Sequence, residues 1–255
     1  MRMLFVAATT IMAIPVFANA MESHSLFTAI LQDHVEDGVV NYGDLRSDAR
    51  LGAYLDQLSA AAPESLANDD DKLAFWINAY NAFTLKIVCD NYPIESINEL
   101  HFVNRYVGWL LKKMVWDKKF IEIAGKRISL NHIEHEIIRK EFKEPRAHFA
   151  LVCASKSCPP LRSEAFEGSE LDAQLQDQGR AFFADSKRNR VDSERKTVHL
   201  SAIFSWFKKD FGRTDRDILE FAAQFLSEST ARAILSNPGA WTVEHLDYDW
   251  SLNGF

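Results

Sequence analysis

The stretch DDDKLAFWINAYNAFTLKIVCDNYP, residues 69–93, decides the fold of this chain. Its apolar side chains recur at helical spacing, and its opposite side is no more polar, since it carries phenylalanine, alanine and leucine. A helix that is apolar nearly all round is normally buried at the centre of a domain. The aspartates at 69–71 suit the positive end of a helix, and Pro93 stops it. The stretch therefore predicts one long buried helix over residues 71–90, which we call the hub helix.

Two asparagines, Asn78 and Asn81, lie three residues apart in the hub helix and face adjoining sides of it. A buried amide must find hydrogen-bond partners. The pair therefore either ties neighbouring loops to the helix or lines a polar pocket. We favour the structural role and keep both residues as binding candidates.

The first twenty residues have the pattern of an export signal. Arg2 gives a positive start, residues 3–17 are an apolar run, and Ala18-Asn19-Ala20 fits a cleavage site. We expect cleavage after Ala20 and an exported, periplasmic, soluble protein without a membrane span. The loss of Arg2 changes the formal charge from −7 to −8. A mildly acidic chain argues against binding to nucleic acid or to anionic membrane surfaces.

The fold prediction is α+β, with helices around a small, mostly antiparallel sheet. After the signal at residues 1–20, residues 21–70 are expected to form a helical segment packed on a main domain of residues 71–255. Residues 146–154 are nearly all apolar and predict a central strand of that sheet. Residues 246–253 alternate between apolar and polar side chains and predict a second strand, around Asp249.

The other elements follow from local patterns. The aromatic segment 97–116 either covers the hub helix or forms a lid over a site, and we favour the cover. Asn131, with Glu134 three residues later, predicts a capping box at the start of a helix. The remaining predictions are helices at 26–35, 51–58, 171–184, 203–211 and 218–226, a hairpin at 120–130, and a hairpin or loop at 191–200.

Five motifs occur in one order over most of the chain: FWINAYNAFTL (75–85), RISLNHIEHEIIR (127–139), HFALVCASKSCPPL (148–161), LSAIFSWFKKDF (200–211) and YDWSLN (248–253). Together they resemble the exported bacterial branch of domain-of-unknown-function family 547, over roughly residues 71–253. The resemblance implies no settled activity. It directs attention to Asn78, Asn81, Glu134, His135, His148, Cys153, Cys158, Asp249 and Asn253.

One function class is a thiol-dependent hydrolase or acyl-transferase. Cys153 would be the nucleophile, with His148 or His135 as the base and Asp249, Glu134 or Asn78 as the orienting group. In an uninterrupted strand His148 and Cys153 would point to opposite faces, which favours His135. The predicted order of elements is also similar to transglutaminase-like and papain-like cores. In that analogy the nucleophile would lie near Asn78, where asparagine cannot act as one.

The same cysteine has a structural alternative. Cys153 and Cys158 have the spacing C-x4-C, and an oxidising compartment favours a disulfide between them. An extended chain would place their Cα atoms roughly 17 Å apart, and a bridge needs them within about 7 Å, so the loop between them would have to turn back. A bridge and a reactive thiol remain open alternatives. Cys89, in the last turn of the hub helix, is expected to pack inertly in the core.

Metal and carboxylate chemistry have weaker support. His132 and His135 share one side of a helix, but the sequence after them lacks the second histidine of H-E-x-x-H. We interpret them as surface histidines and predict no metal and no cofactor. Glu134, Asp247 and Asp249 could form an acid/base pair for glycoside hydrolysis. For Asp249 we favour a role as a hydrogen-bond acceptor that fixes the fold.

A binding protein needs no nucleophile at all. A chain dense in aromatics, with a polar pocket around the hub helix, could bind a small molecule or another envelope protein. Asn78, Asn81 and Asn253 are the binding candidates in that case. We favour this function, with the thiol-dependent enzyme as the alternative.

Overall fold

The structure is a computed structural model that describes residues 23–100 and 114–255. The predicted signal at residues 1–20 lies outside the described residues, as does most of the aromatic segment at 97–116. Short 3-10 turns at Ile97–Glu99 and Val115–Asp117 flank the undescribed part of that segment. None of the described helices has the length and apolar character needed to cross a membrane.

The hub helix is α4, Asp69–Cys89, and its prediction is confirmed. The side chain of Asn68 caps the helix by accepting a hydrogen bond from the Asp71 backbone amide at 2.8 Å. Three aspartates in the first turn interact favourably with the helix dipole. Every residue from Leu73 to Val88 except Lys86 is buried, so the helix lies at the centre of the fold as its composition requires.

The larger hydrophobic cluster is built around the hub helix and includes residues from both earlier and later parts of the chain. Helix α3 (Ala49–Ala60) packs on α1 (Ser25–His34), on the hub helix and on strand β3 (Ile121–Ile123), while α5 (His132–Phe142) packs on the hub helix. Helix α2 is Tyr42–Leu45.

A second hydrophobic cluster surrounds Phe149, which is fully buried. Its ring contacts the rings of Phe182, Phe204 and Phe211, which come from three different helices. Tyr248 packs against both clusters and so borders each of them. The helices are Leu171–Ala184 (α6), Ile203–Trp206 (α7), Lys208–Phe211 (α8), Asp215–Ala222 (α9) and Glu228–Ser236 (α10).

The described strands are short and form three small sheets, which confirms the α+β prediction. Two sheets are single antiparallel hairpins, and in the third the order is β5-β6-β7. Strands β6 and β7 pair in parallel, with Thr197 opposite Thr242. The strands are Val35–Glu36 (β1), Val39–Val40 (β2), Ile121–Ile123 (β3), Lys126–Ile128 (β4), Arg190–Asp192 (β5), Thr197–Leu200 (β6) and Thr242–His245 (β7).

The prediction of a central strand at 146–154 is wrong. A 3-10 helix, Pro145–Phe149, begins this segment, and Ala154 ends it with a positive φ of 61°. Side-chain amides take the place of a neighbouring strand. Asn81 donates to the carbonyl of Ala150 and accepts from the amide of Val152, both at 2.9 Å. The run is apolar because it is buried, and its backbone groups are satisfied without a sheet.

The prediction of a strand at 246–253 is also wrong, because strand β7 ends at His245. The following residues make backbone hydrogen bonds to several separate segments. The Leu252 amide donates to Glu95, for example, whereas the Asn253 amide donates to Ala154. Only isolated bridges remain at this end of the chain, between Ser155 and Leu252 and between Val40 and Gly254. The alternating pattern reflects burial on one side without a partner strand.

Other local predictions were correct in type and differ in detail. The hairpin at 120–130 and the helix at 171–184 are confirmed. The predicted capping box at Asn131 does not form, because Asn131 has helical dihedrals and its amide donates to Asp117 at 2.7 Å. The aromatic helix at 203–211 is divided at Phe207 into α7 and α8.

Candidate functional site

A cavity of about 180 Å³ lies where the hub helix, α5, the cysteine segment, α7 and the C-terminal residues meet. Aromatic side chains form much of its wall, and we call it the aromatic pocket. Three of them pack closely, since the ring of Trp206 lies 4.7 Å from Tyr248 and 5.6 Å from Trp250. The aromatic lining consists of Tyr80, Trp116, Trp206, Phe207, Tyr248 and Trp250.

Five of the residues suggested by the sequence line this pocket together: Glu134, His135, His148, Cys153 and Cys158. Glu134 and His135 come from α5, which is a π-helix over its whole length. Such helices are rare and are often found at functional sites. His148 and Cys153 come from the segment that was predicted as a strand. Because that strand does not form, the argument that placed them on opposite faces does not apply.

The Glu134 carboxyl is a weaker acid than an ordinary glutamate, because its pKa is raised. Burial raises its pKa to about 7, while Arg139 and a hydrogen bond with Tyr80 oppose the rise. Nearby Asp210 raises it further. At neutral pH the carboxyl is therefore divided between its charged and neutral forms, so it can both donate and accept a proton.

Asp210, which is not among the candidates predicted from the sequence, organises the polar side of the site. Arg139 donates two hydrogen bonds to the Asp210 carboxylate, one from Nε at 2.5 Å and one from a terminal nitrogen at 3.0 Å. His148 Nε2 donates to Asp210 Oδ2 at 2.8 Å. Burial alone would raise the pKa of Asp210, but these hydrogen bonds outweigh burial and hold the pKa well below its usual range. Asp210 therefore stays charged and fixes the ring of His148.

Both pocket histidines are neutral at pH 7. Burial lowers the pKa of His148, with Asp210 opposing, and burial lowers the pKa of His135, with Arg139 adding to the effect. His135 Nδ1 accepts from Arg139 at 2.9 Å, which places its proton on Nε2. His148 carries its proton on Nε2 toward Asp210, which leaves Nδ1 able to accept one. The ring of His148 also stacks on Phe207 at 4.1 Å.

Cys153 and Cys158 both line the pocket, and their sulfur atoms lie at disulfide bonding distance, with Cα atoms 6.3 Å apart. The loop turns back through Ala154 and a hydrogen bond from the Cys158 amide to the carbonyl of Ser155. The two sulfur atoms are therefore placed as the disulfide alternative requires. Cys89 is free and buried, as expected.

The asparagine candidates lie away from the pocket. Asn78 exchanges two hydrogen bonds with the backbone of Phe166, at 2.7 and 2.9 Å, and so ties a loop to the hub helix as Asn81 does. Asn253 accepts a hydrogen bond from the hydroxyl of Tyr42 at 2.8 Å. All three are buried and structurally engaged.

Asp249 is exposed and does not line the pocket. Hydrogen bonds from the side chain and backbone of Ser251 lower its pKa. Within residues 23–100 and 114–255, no group of three or more His, Cys, Asp or Glu side chains is arranged to hold a metal ion.

Comparison with known proteins gives a family and no activity. No curated protein and no solved structure matches the chain. Residues 63–183 match the family described as "Protein of unknown function, DUF547". This match contains the hub helix, α5 and both cysteines of the pocket, whereas Asp210, Trp206 and Tyr248 lie beyond it. Residues 63–183 of this chain are therefore the part that is similar to domain-of-unknown-function family 547.

Proposed function

We propose that the protein binds a small molecule in the aromatic pocket, and that this ligand has a flat apolar face and a few polar groups. The observation that carries the proposal is the combination of an aromatic wall with the polar groups of Glu134, His135 and His148. Ligand sites typically pair apolar walls with a few convergent polar groups.

The aromatic wall favours a flat ligand. Trp206 and Trp250 are nearly parallel, with an interplanar angle of 20°, and Trp116 meets Trp250 edge to face at 5.9 Å. Trp206 remains 49% exposed, which is unusual for so large an apolar side chain. Aromatic rings in such a cluster prefer stacked or edge-to-face partners. A planar ring or the apolar face of a sugar would complete the cluster.

The polar groups favour a ligand without net charge. Both histidines are neutral at pH 7, and the Arg139 charge is neutralised by Asp210. Glu134 is the one remaining ionisable group of the described lining whose pKa lies near neutrality, at about 7. The volume, about 180 Å³, supports a small molecule over an envelope protein as the occupant.

A fluorescence titration with the neutral dye N-phenyl-1-naphthylamine tests the binding proposal. The dye should bind saturably, and Trp206→Ala should weaken binding about fivefold, since an aromatic contact contributes about 1 kcal/mol. Trp241→Ala is the matched control, because Trp241 packs against the second cluster outside the pocket. Binding that is not saturable, or equal losses in the two variants, would reject the proposal.

The thiol-dependent hydrolase or acyl-transferase is the second candidate. One observation supports it: Cys153 and His148 line the same pocket, and Asp210 holds His148 with Nδ1 free to accept a proton. The Cys158→Ser protein releases Cys153 as a thiol. With p-nitrophenyl acetate it should give a burst of one nitrophenolate per chain, and Cys153→Ser should give none. No burst, or the same burst from both variants, would reject this function.

We also propose that the chain is exported and cleaved after Ala20. Residues 1–20 support this by their pattern, and a cysteine pair at disulfide distance is typical of oxidising compartments. N-terminal sequencing of the protein purified from its native source should begin at Met21, and an intact Met1 would contradict the proposal.

A further inference from the structure

We propose that the Cys153–Cys158 disulfide exchanges with small thiols that enter the aromatic pocket, with Cys153 as the sulfur attacked and Cys158 as the sulfur that leaves. This activity does not depend on the ligand of the binding proposal. The exchange has a direction because the two sulfurs have different surroundings.

Access distinguishes the two cysteines. Cys153 is partly exposed, whereas Cys158 is only 2% exposed and is covered by the fold. An incoming thiolate must approach a disulfide sulfur directly, so access decides which sulfur is attacked. The wall of the pocket therefore presents Cys153.

Hydrogen bonds favour Cys158, the less accessible of the two, as the sulfur that leaves. The Cys153 amide donates to Cys158 Sγ at 2.9 Å, and the Tyr248 hydroxyl donates to the same sulfur at 3.2 Å. Cys153 Sγ has the hydroxyls of Ser155 and Tyr248 beside it, at 3.2 and 3.4 Å, so the backbone amide and the shorter Tyr248 contact distinguish Cys158. The Ser155 hydroxyl donates to the Tyr248 oxygen at 3.1 Å, which leaves the Tyr248 proton directed at the sulfur. Donors aimed at an atom that gains negative charge stabilise the transition state. These donors therefore assist departure of Cys158 as a thiolate.

The surroundings keep this arrangement in place. Burial raises the pKa of Tyr248 to about 12, so the hydroxyl remains a donor at neutral pH. Arg188 donates to the carbonyls of Cys158 and Lys156, at 2.6 and 2.9 Å, and holds the loop between the cysteines. Because the loop is held at both carbonyls, Cys158 stays beside its donors when the bond opens.

The chemical steps balance without a further reagent. A thiolate attacks Cys153 Sγ, a mixed disulfide forms, and the electron pair of the broken bond goes to Cys158 Sγ, which then takes a proton. A second thiol attacks the mixed disulfide and releases a small disulfide together with Cys153 as a thiol. Two thiols are oxidised and one protein disulfide is reduced.

Trapping of the mixed disulfide tests the direction of attack. The native oxidised protein is mixed with 2-mercaptoethanol, quenched in acid within seconds and mapped by mass spectrometry. The adduct is expected on Cys153. An adduct on Cys158, or reduction that occurs only after denaturant is added, would overturn the proposal.

A rate comparison tests the role of the donors. Tyr248→Phe removes one hydrogen bond to the developing thiolate and should slow reduction by about fivefold. Tyr92→Phe is the matched control, because Tyr92 packs near Tyr42 and does not line the pocket. Alkylation of Cys153 by iodoacetamide in the Cys158→Ser background, with and without Tyr248→Phe, should slow by less than the reduction does, because the Tyr248 hydroxyl lies 3.4 Å from Cys153 Sγ and 3.2 Å from Cys158 Sγ. An unchanged reduction rate in Tyr248→Phe, or a parallel loss of alkylation, would refute leaving-group stabilisation.

Discussion

Replacement of Asn81 by alanine should destabilise the fold strongly, because this side chain satisfies two buried backbone groups. Asn81 is 3% exposed and bonds the carbonyl of Ala150 and the amide of Val152 at 2.9 Å each. Both backbone groups lie in buried residues and have no strand partner. Each orphaned buried group costs about 1–3 kcal/mol, so the variant should lose about 2–6 kcal/mol of unfolding free energy.

Urea unfolding followed by circular dichroism measures this loss. Asn91→Ala is the matched control, because Asn91 is exposed and its side chain donates a hydrogen bond to the carbonyl of Ile87 at 2.7 Å. The control should lose less than about 1 kcal/mol. An equally small loss in Asn81→Ala would refute the reasoning, since the backbone would then be satisfied without the amide. Because Ala150 and Val152 lie between His148 and Cys153, the same amide also holds the pocket in shape.

Two further predictions concern the charges of the site. In Glu134→Gln the unfolding free energy should match the wild type at pH 4 and exceed it by up to about 3 kcal/mol above pH 7. The folded-state pKa of Glu134 is raised from 4.5 to about 7, so the wild type loses stability as pH rises through that range. Urea unfolding at several pH values measures the difference between the two proteins, and a difference that does not change with pH would contradict the prediction. In Asp210→Asn the pKa of His148, which burial already lowers, should fall further, because Asp210 raises it in the wild type. The variant should therefore lose stability more steeply than the wild type as pH falls below 6.5. An NMR titration of His148 measures the pKa shift, and an unchanged pKa would contradict the assignment.

Local patterns predicted the hub helix and the helix at Leu171–Ala184 well. The hub helix is apolar nearly all round, begins with three aspartates and has an asparagine cap, so every local feature agrees with its central position. The helix at Leu171–Ala184 was found for the same reason, since its apolar residues recur at helical spacing; the first of them are buried in the larger cluster and the last in the second cluster. The residues of these two helices are therefore sufficient to predict them.

The strand at 146–154 could not be excluded from its own residues. A short apolar run is equally compatible with a central strand and with an irregular buried segment. The irregular conformation depends on hydrogen bonds from Asn81, at least 69 positions away in the sequence, and from Gln178, which donates to the carbonyl of Phe149 at 2.9 Å. Buried amides at Asn78 and Asn81 were recognised, but a sequence does not state which backbone they bind.

Asp210 was missed for a similar reason. It lies in the motif LSAIFSWFKKDF, whose pattern predicts an aromatic helix, and its partner His148 is 62 residues earlier. The signal was one carboxylate at the end of an apolar helix near two lysines. The helix breaks at Phe207, which separates α7 from α8, and Asp210 in α8 pairs with Arg139 and His148.

The oxidation state of Cys153 decides which chemistry the pocket can perform. In the disulfide, Cys153 Sγ is an electrophile, and the donors of Tyr248 and the Cys153 amide favour its attack by a thiol. Once reduced, the same sulfur is a nucleophile in a pocket that contains a neutral His148 held by Asp210. The two proposed activities, thiol exchange and acyl transfer, would therefore use successive oxidation states of one site, and exchange would have to come first, because the disulfide withholds the thiol on which acyl transfer would depend.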